Sequence, residues 1–306
     1  MSKTLSIVFG VTLAFALLFA SIACGQESKP RVHQSEALAS AIERGEWRLA
    51  LEAGTEWAQR EPKSAIPVYV VDVATDVLDD WSMPALTQYD FPYSDKKVVR
   101  DIESWVKSLL KQDPNNPNFL VLNAMLCSPK GFADVNQFVR LLEKAVVLAP
   151  NNAYILDGLG SGYGAQGKFD LAIETLQKAI AVNPKRSSAY TNLGVAFVNK
   201  GDVSKGEQLL KKAVEVNKVD AFAWFNLGSF YAERGRTREA KPALEKAIEL
   251  MPKLLEARWD LGGTYYNLGQ CKKAIEQLKK IIQIAPDSAM GQQAKRMLKS
   301  FPRGYN

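Results

Sequence analysis

A 34-residue pattern that recurs four times between Ala153 and Ser288 constrains this chain more than any other feature. Aligning Gly160, Gly194, Gly228 and Gly262 brings every neighbouring column into register. Leu159, Leu193, Leu227 and Leu261 precede these glycines, and Tyr163, Phe197, Tyr231 and Tyr265 follow three places on. Gly167, Gly201, Gly235 and Gly269 form the next column, then Ala172, Gly206, Ala240 and Ala274, then Leu176, Leu210, Leu244 and Leu278. Ala179, Ala213, Ala247 and Ile281, with Pro184, Lys218, Pro252 and Pro286, complete each unit. Apolar residues at spacings of three and four predict two short amphipathic helices per unit, broken at the second glycine and closed near the proline. Small residues at Gly194 and Gly206 let the paired backbones approach closely, while Leu193, Phe197, Leu210 and Ala213 fill the seam. Such a hairpin buries its apolar face by stacking on its neighbours, so stability is a sum over adjacent units rather than one central core.

The period, together with Leu227, Gly228, Tyr231, Ala240, Leu244, Ala247 and Pro252, resembles the tetratricopeptide repeat. That resemblance implies an all-α, right-handed superhelix whose shared property is binding other proteins.

Residues 1–23 read as an export signal, with Lys3, an apolar run from Leu5 to Ala20 and small residues before Cys24. Ser21-Ile22-Ala23-Cys24-Gly25 resembles a bacterial lipobox with serine where leucine is usual, which implies lipidation at Cys24. Conventional cleavage and an uncleaved anchor are the alternatives, and all three place the rest of the chain outside the cytoplasm. Gly25, in place of an aspartate, resembles lipoproteins sent to an outer membrane.

Residues 24–30 form a tether. Divergent repeats then occupy 31–152, where Gly45, Ala50 and Pro62 hold the turn, small and closing positions of a first unit and Trp57 replaces the usual alanine. Gly167 lies 122 residues beyond Gly45, about 20 more than three periods, which requires an insertion. Most of the surplus falls at 79–94, rich in aromatic residues (Trp81, Tyr89, Phe91, Tyr93), and the remainder is expected near Pro114 to Pro117. Residues 153–288 hold the four regular units and 289–306 a capping helix, with Met290, Ala294, Met297 and Leu298 on its apolar side. The count is about seven hairpins and a cap.

Composition excludes several function classes. The net charge of +6 falls by one when Lys3 leaves with the signal, and the lysines of the second helices are interspersed with glutamates, as on a solvated face. Nucleic acid is not expected as a partner of an exported chain. The single histidine, His33, has no second histidine to complete a metal or catalytic site. Cys127 and Cys271 lie four repeats apart, on the order of 40 Å along a stack of helices, far beyond the roughly 7 Å that a disulfide spans. Both are expected as free thiols, Cys127 buried. No nucleophile elbow, phosphate loop or zinc spacing occurs, so neither an enzyme nor a cofactor is expected.

In the tetratricopeptide family the first helix of each hairpin lines the concave face. The matching inward positions here are Tyr154, Asp157, Ser161, Ser188, Thr191, Asn192, Asn199, Phe222, Phe225, Asn226, Ser229, Glu256, Trp259, Asp260, Tyr266 and Asn267. Of these, Tyr154, Asn192, Phe222, Phe225, Asn226, Trp259, Asp260 and Tyr266 are the candidate groove residues. Asn192, Asn226 and Asp260 share one column; side-chain amides there would pair with the backbone of an extended peptide or, alternatively, hydrogen-bond within the stack. The inward positions of the last four units carry no lysine or arginine, unlike members that clamp a C-terminal carboxylate. The reading is therefore a membrane-tethered adaptor of the cell envelope that holds a protein or peptide in its groove. Its rival is a repeat lipoprotein of polysaccharide export or cell-wall handling that binds a glycan, and self-association is a further way to cover the groove aromatics.

Overall fold

The computed structural model describes residues 30–60, 66, 69–70, 73–74, 96–127 and 134–301, and their side chains except at 30–35, 59–60 and 96–99. The export signal, Cys24, the aromatic insertion at 79–94 and the side chain of His33 lie outside what is described. Fourteen helices and no strand occur among the described residues. In chain order they are α1 (Pro30–Glu43), α2 (Trp47–Arg60), α3 (Lys96–Gln112), α4 (Pro117–Leu126), α5 (Val135–Leu148), α6 (Ala153–Ala165) and α7 (Phe169–Val182). They continue as α8 (Ser187–Lys200), α9 (Val203–Val216), α10 (Ala221–Glu233), α11 (Thr237–Leu250), α12 (Leu255–Asn267), α13 (Cys271–Ile284) and α14 (Ala289–Ser300). From α4 onward each helix packs on its predecessor, in an all-α, right-handed solenoid of about seven hairpins closed by α14.

The repeat columns map onto packing as their chemistry requires. The turn glycines Gly45, Gly167, Gly201, Gly235 and Gly269 all have positive φ, between 69° and 102°, which a side chain would oppose. A Cβ on Gly194 would sit 3.0 Å from the carbonyl oxygen of Gly206, and one on Gly206 would overlap Val198 and press 2.8 Å from the oxygen of Gly194. The α8–α9 hairpin is therefore closed by two facing glycines. Leu176, Leu210 and Leu244 are almost wholly buried in the seams, as are Ala172, Ala213 and Ala247.

Two expectations change. Asp113–Asn116, between α3 and α4, is four residues long, the same as Ala149–Asn152 and Asn183–Arg186, so no surplus lies at Pro114 to Pro117. The longer link is 127–134 between α4 and α5, eight residues where α6 and α7 are joined by the three from Gln166 to Lys168. Cys127 is free, as is Cys271, but it caps the C-terminus of α4 and is half-buried rather than buried.

Candidate functional site

Helices α6, α8, α10 and α12 touch one another in succession and form the inner layer of the solenoid. Local chemistry starts them where the period requires. The Asn152 carboxamide oxygen accepts from the N–H groups of Tyr154 and Ile155, and Asp220 does the same for Phe222 and Ala223. These caps satisfy amides that have no partner within the helix.

The candidate residues share this layer but not one environment. Tyr266 is 58% exposed, whereas Tyr154, Asn192, Phe222, Phe225, Asn226, Trp259 and Asp260 are half-buried. Phe222 and Phe225 pack against the core cluster of Leu227, Tyr231 and Leu261, so only part of each ring faces the groove. The amide column turns its donors inward: Asn192 Nδ2 donates to Asp157 Oδ1 at 2.8 Å, and Asn226 Nδ2 to the carbonyl of Phe222 at 2.8 Å. Asp260 takes a hydrogen bond from Ser229 of the preceding unit. Burial pushes its carboxyl upward, and Glu233 and Glu256 add to the effect.

Two positions expected to face a ligand are closed. Thr191 is buried and donates to the carbonyl of Ser187 at 3.2 Å. Asp157 is only 3% exposed, enclosed by donors from the next unit: Arg186 Nε at 2.8 Å and Ser188 Oγ at 2.5 Å on one oxygen, Asn192 Nδ2 on the other. The Arg186 guanidinium lies 4.9 Å from the centroid of the Tyr154 ring, and the Tyr154 hydroxyl points to Met125 Sδ at 3.2 Å. A carboxylate this deep is stable only with such partners.

At the far end of the layer a cavity of about 320 Å³ opens between α12, α13 and the end of α14, lined by Trp259, Gly263, Tyr266, Asn267, Met297 and Phe301 among others. The Tyr266 and Phe301 rings meet edge to face, 5.8 Å apart. The apolar side of α14 differs from expectation accordingly: Met290, Ala294 and Leu298 pack inward, whereas Met297 is 44% exposed at the cavity.

Tetratricopeptide-repeat families match residues 187–220 and 231–298, and a TPR-repeat family matches 160–201. The fold is a tetratricopeptide-repeat solenoid. Among solved structures, TTC0263, a thermophilic TPR protein in Thermus thermophilus, is similar at 22% identity over 60% of this chain and 99% of that one, with a TM-score of 0.54. The Cut9–Hcn1 hetero-tetramer of the APC/C is similar at 20% identity over 85% of this chain and 47% of that one, TM-score 0.57. PilW, described as a widely conserved type IV pilus biogenesis factor, shares 18% identity over 69% of this chain and 95% of that one, TM-score 0.53. No curated protein matches the chain.

Within this tetratricopeptide solenoid the aromatic column does more than fill seams. Tyr163 donates to Glu143 at 2.9 Å, Tyr231 to Glu207 at 3.3 Å and Tyr265 to Glu245 at 2.6 Å, each time reaching the second helix of the preceding unit. Burial, with the neighbouring Glu143, pushes the Tyr163 phenol up to about 12. Cations stack on rings of the same column, Lys205 at 4.1 Å from Phe197 and Arg236 at 4.4 Å from Tyr231. These clasps are absent from the sequence reading, although the 20-residue spacing of Glu143 to Tyr163 and of Glu245 to Tyr265 carries them. So is the Asp157–Arg186 pair; its signal is an acid in the column that otherwise holds Thr191, Phe225 and Trp259, facing a base in the column of Asn152 and Asp220.

Proposed function

We propose that this protein is a membrane-tethered scaffold of the cell envelope whose inner layer holds an extended segment of a partner protein. The observation that carries the reading is the row of inner-layer side chains left half-buried or exposed after the core is complete: Asn192, Val195, Asn199, Asn226, Trp259, Asp260 and Tyr266. Enough of each faces outward to meet a ligand, and their mixture of amide, aliphatic and aromatic surface suits a peptide backbone with occasional apolar side chains. Similarity in fold to a pilus biogenesis factor is compatible with envelope assembly work. The tether rests on the signal-like residues 1–23 and Cys24.

Site-specific photo-crosslinkers in the native cell test the groove. Adducts with one partner are expected from Val195 and Tyr266, and none from Lys178 on α7, which is exposed on the second helix of its unit. Equal labelling from Lys178 would remove the groove assignment. Palmitate labelling that persists after Cys24→Ser would remove the lipid tether.

A further inference from the structure

The C-terminal cavity belongs to the proposed groove but is built differently from the rest of it. In the three preceding units the hairpin is tight: a Cβ on Gly160, Gly194 or Gly228 would press to 2.5, 3.0 or 2.7 Å from the facing helix. On Gly262 the nearest atom would be 3.7 Å away, and on Gly263 nothing lies within 4 Å. Ile281, in the column that holds alanine in the other regular units, clusters with Leu278 and Ala294 beneath α14. The last hairpin is thus splayed, and the space left between Trp259, Tyr266, Met297 and Phe301 is an apolar recess of about 320 Å³. That is at the lower end of ligand pockets, roughly 300–1,000 Å³. It admits a large side chain rather than a whole small molecule.

The approach to the recess along α12 is acidic. Glu256, Asp260, Gly263 and Asn267 follow one another along α12 at spacings of four, three and four, so they form one stripe of the helix. Gly263 and Asn267 line the recess, and the two carboxylates continue away from it. Glu233 of α10 stands close enough to act on Asp260. Its own pairing is a 3.7 Å contact with Arg234, and no lysine or arginine occupies the inward positions of the last four units. Negative charge beside an aromatic wall is complementary to a cation, which gains both from the carboxylates and from the ring faces.

Resting on the peptide-groove reading above, we infer that the recess takes an aromatic or branched aliphatic side chain of an extended peptide, and that a lysine or arginine about one or two residues away pairs with Glu256 and Asp260. An extended chain rises roughly 3.3 Å per residue, so a neighbour at that separation stands over Asp260, in the adjoining turn of α12, and its long side chain covers the further turn of about 5.4 Å to Glu256. The partner is therefore a basic segment carrying an apolar anchor, not an acidic tail.

The test is a random peptide library displayed on phage and selected on the full-length protein in detergent, in parallel on wild type, Gly263→Leu, Tyr266→Ala, Glu256→Gln with Asp260→Asn, and Val195→Arg. Gly263 is exposed and has open space around its Cβ, so leucine there fills the recess without disturbing the hairpin. Wild type is expected to enrich an aromatic or aliphatic residue beside a lysine or arginine. The carboxylate variant should keep the apolar preference and lose the basic one. A synthetic peptide of the wild-type consensus should bind Gly263→Leu and Tyr266→Ala at least about tenfold more weakly by fluorescence anisotropy, as when a hot-spot aromatic is lost. A consensus that Val195→Arg blocks but the other variants leave unchanged would overturn this inference and leave the groove reading standing. No enriched peptide, or one indifferent to Val195→Arg as well, would overturn both.

Discussion

The first part of the solenoid and its regular block bury their side chains in different ways. Most of the buried residues described between Leu38 and Leu159 form one continuous cluster, with Trp47, Trp57, Tyr69, Phe119 and Phe138 among them. From Ala172 onward they divide into smaller clusters, such as Leu210 to Ala274 and Leu278 to Ala294. Contacts differ in the same sense. Helix α1 reaches α4, across the intervening unit, and Asn116 Nδ2 donates to the carbonyl of Glu43 at 3.3 Å. Tyr69, buried, donates from its hydroxyl to the carbonyl of Leu122 at 2.5 Å, 53 residues away. The regular block is built mainly from contacts between successive helices, with its inner helices touching those of the adjoining units. Repetition of small residues and leucines is the mark of nearest-neighbour packing. Where it lapses, larger aromatic side chains fill the seams, and α1 meets α4 across a unit through Asn116 and Glu43.

The largest expected effect comes from the buried ion pair that ties two regular units together. Asp157→Ala would take from the buried Arg186 the carboxylate that its Nε meets at 2.8 Å, and from Ser188 and Asn192 their acceptor, and should cost about 3–5 kcal/mol in chemical denaturation. Replacing both, Asp157→Leu with Arg186→Met, should recover most of that loss; a double variant no better than the single would show that the site needs charge for another reason. Next come Leu122→Ala in the continuous cluster and Leu244→Ala in the regular block, each about 2–5 kcal/mol. Hydrogen exchange separates them: Leu122→Ala should raise exchange from α1 through α5 together, Leu244→Ala chiefly in α10 to α12. Exchange confined to α4 and α5 in the first variant would break the contrast between the two regions.

Smaller effects test the splayed hairpin. Gly206→Ala forces two backbones apart and should cost about 1–3 kcal/mol, whereas Gly263→Ala, in open space, should stabilise its helix by about 0.5–1 kcal/mol. Thermal melts that move in the same direction for both variants would contradict the packing assigned here. The smallest effect is electrostatic. Hydrogen bonds from Arg236 and then Lys211 hold the Glu207 carboxyl down at about 2, against an ordinary 4.5. A carboxyl lowered in the folded state stabilises above its unfolded value and loses that contribution as pH falls. Wild type should therefore lose stability relative to Glu207→Gln as pH falls from 4.5 to about 2, and parallel pH curves would exclude the clasp from the stability of α9 and its neighbours.

Much of the inner layer was legible in the chain itself, because the period aligns the columns of successive first helices and the tetratricopeptide resemblance assigns Asn192, Asn226, Asp260, Trp259 and Tyr266 to their inward side. Their neighbours were not. Asp157 and Thr191 fall on the same side by spacing, yet one is closed by Arg186, Ser188 and Asn192 and the other by the carbonyl of Ser187. Spacing gives the direction of a side chain but not the reach of the groups packed against it, and long arginine side chains cross between units.

Period and residue size alone settled that the regular block is a stack of helical hairpins, where its turns fall and why glycine stands at them: the steric demand at Gly201 is local and recurs at Gly167, Gly235 and Gly269. The aromatic rows told which residues lie in the seams for the same reason. How open each hairpin is, which carboxylates are neutralised by a neighbouring unit and where a cavity survives were decided by the assembled solenoid. Those properties depend on gaps of about an ångström between helices, set jointly by residues such as Gly262, Ile281 and Phe301, and no single column of the repeat carries them.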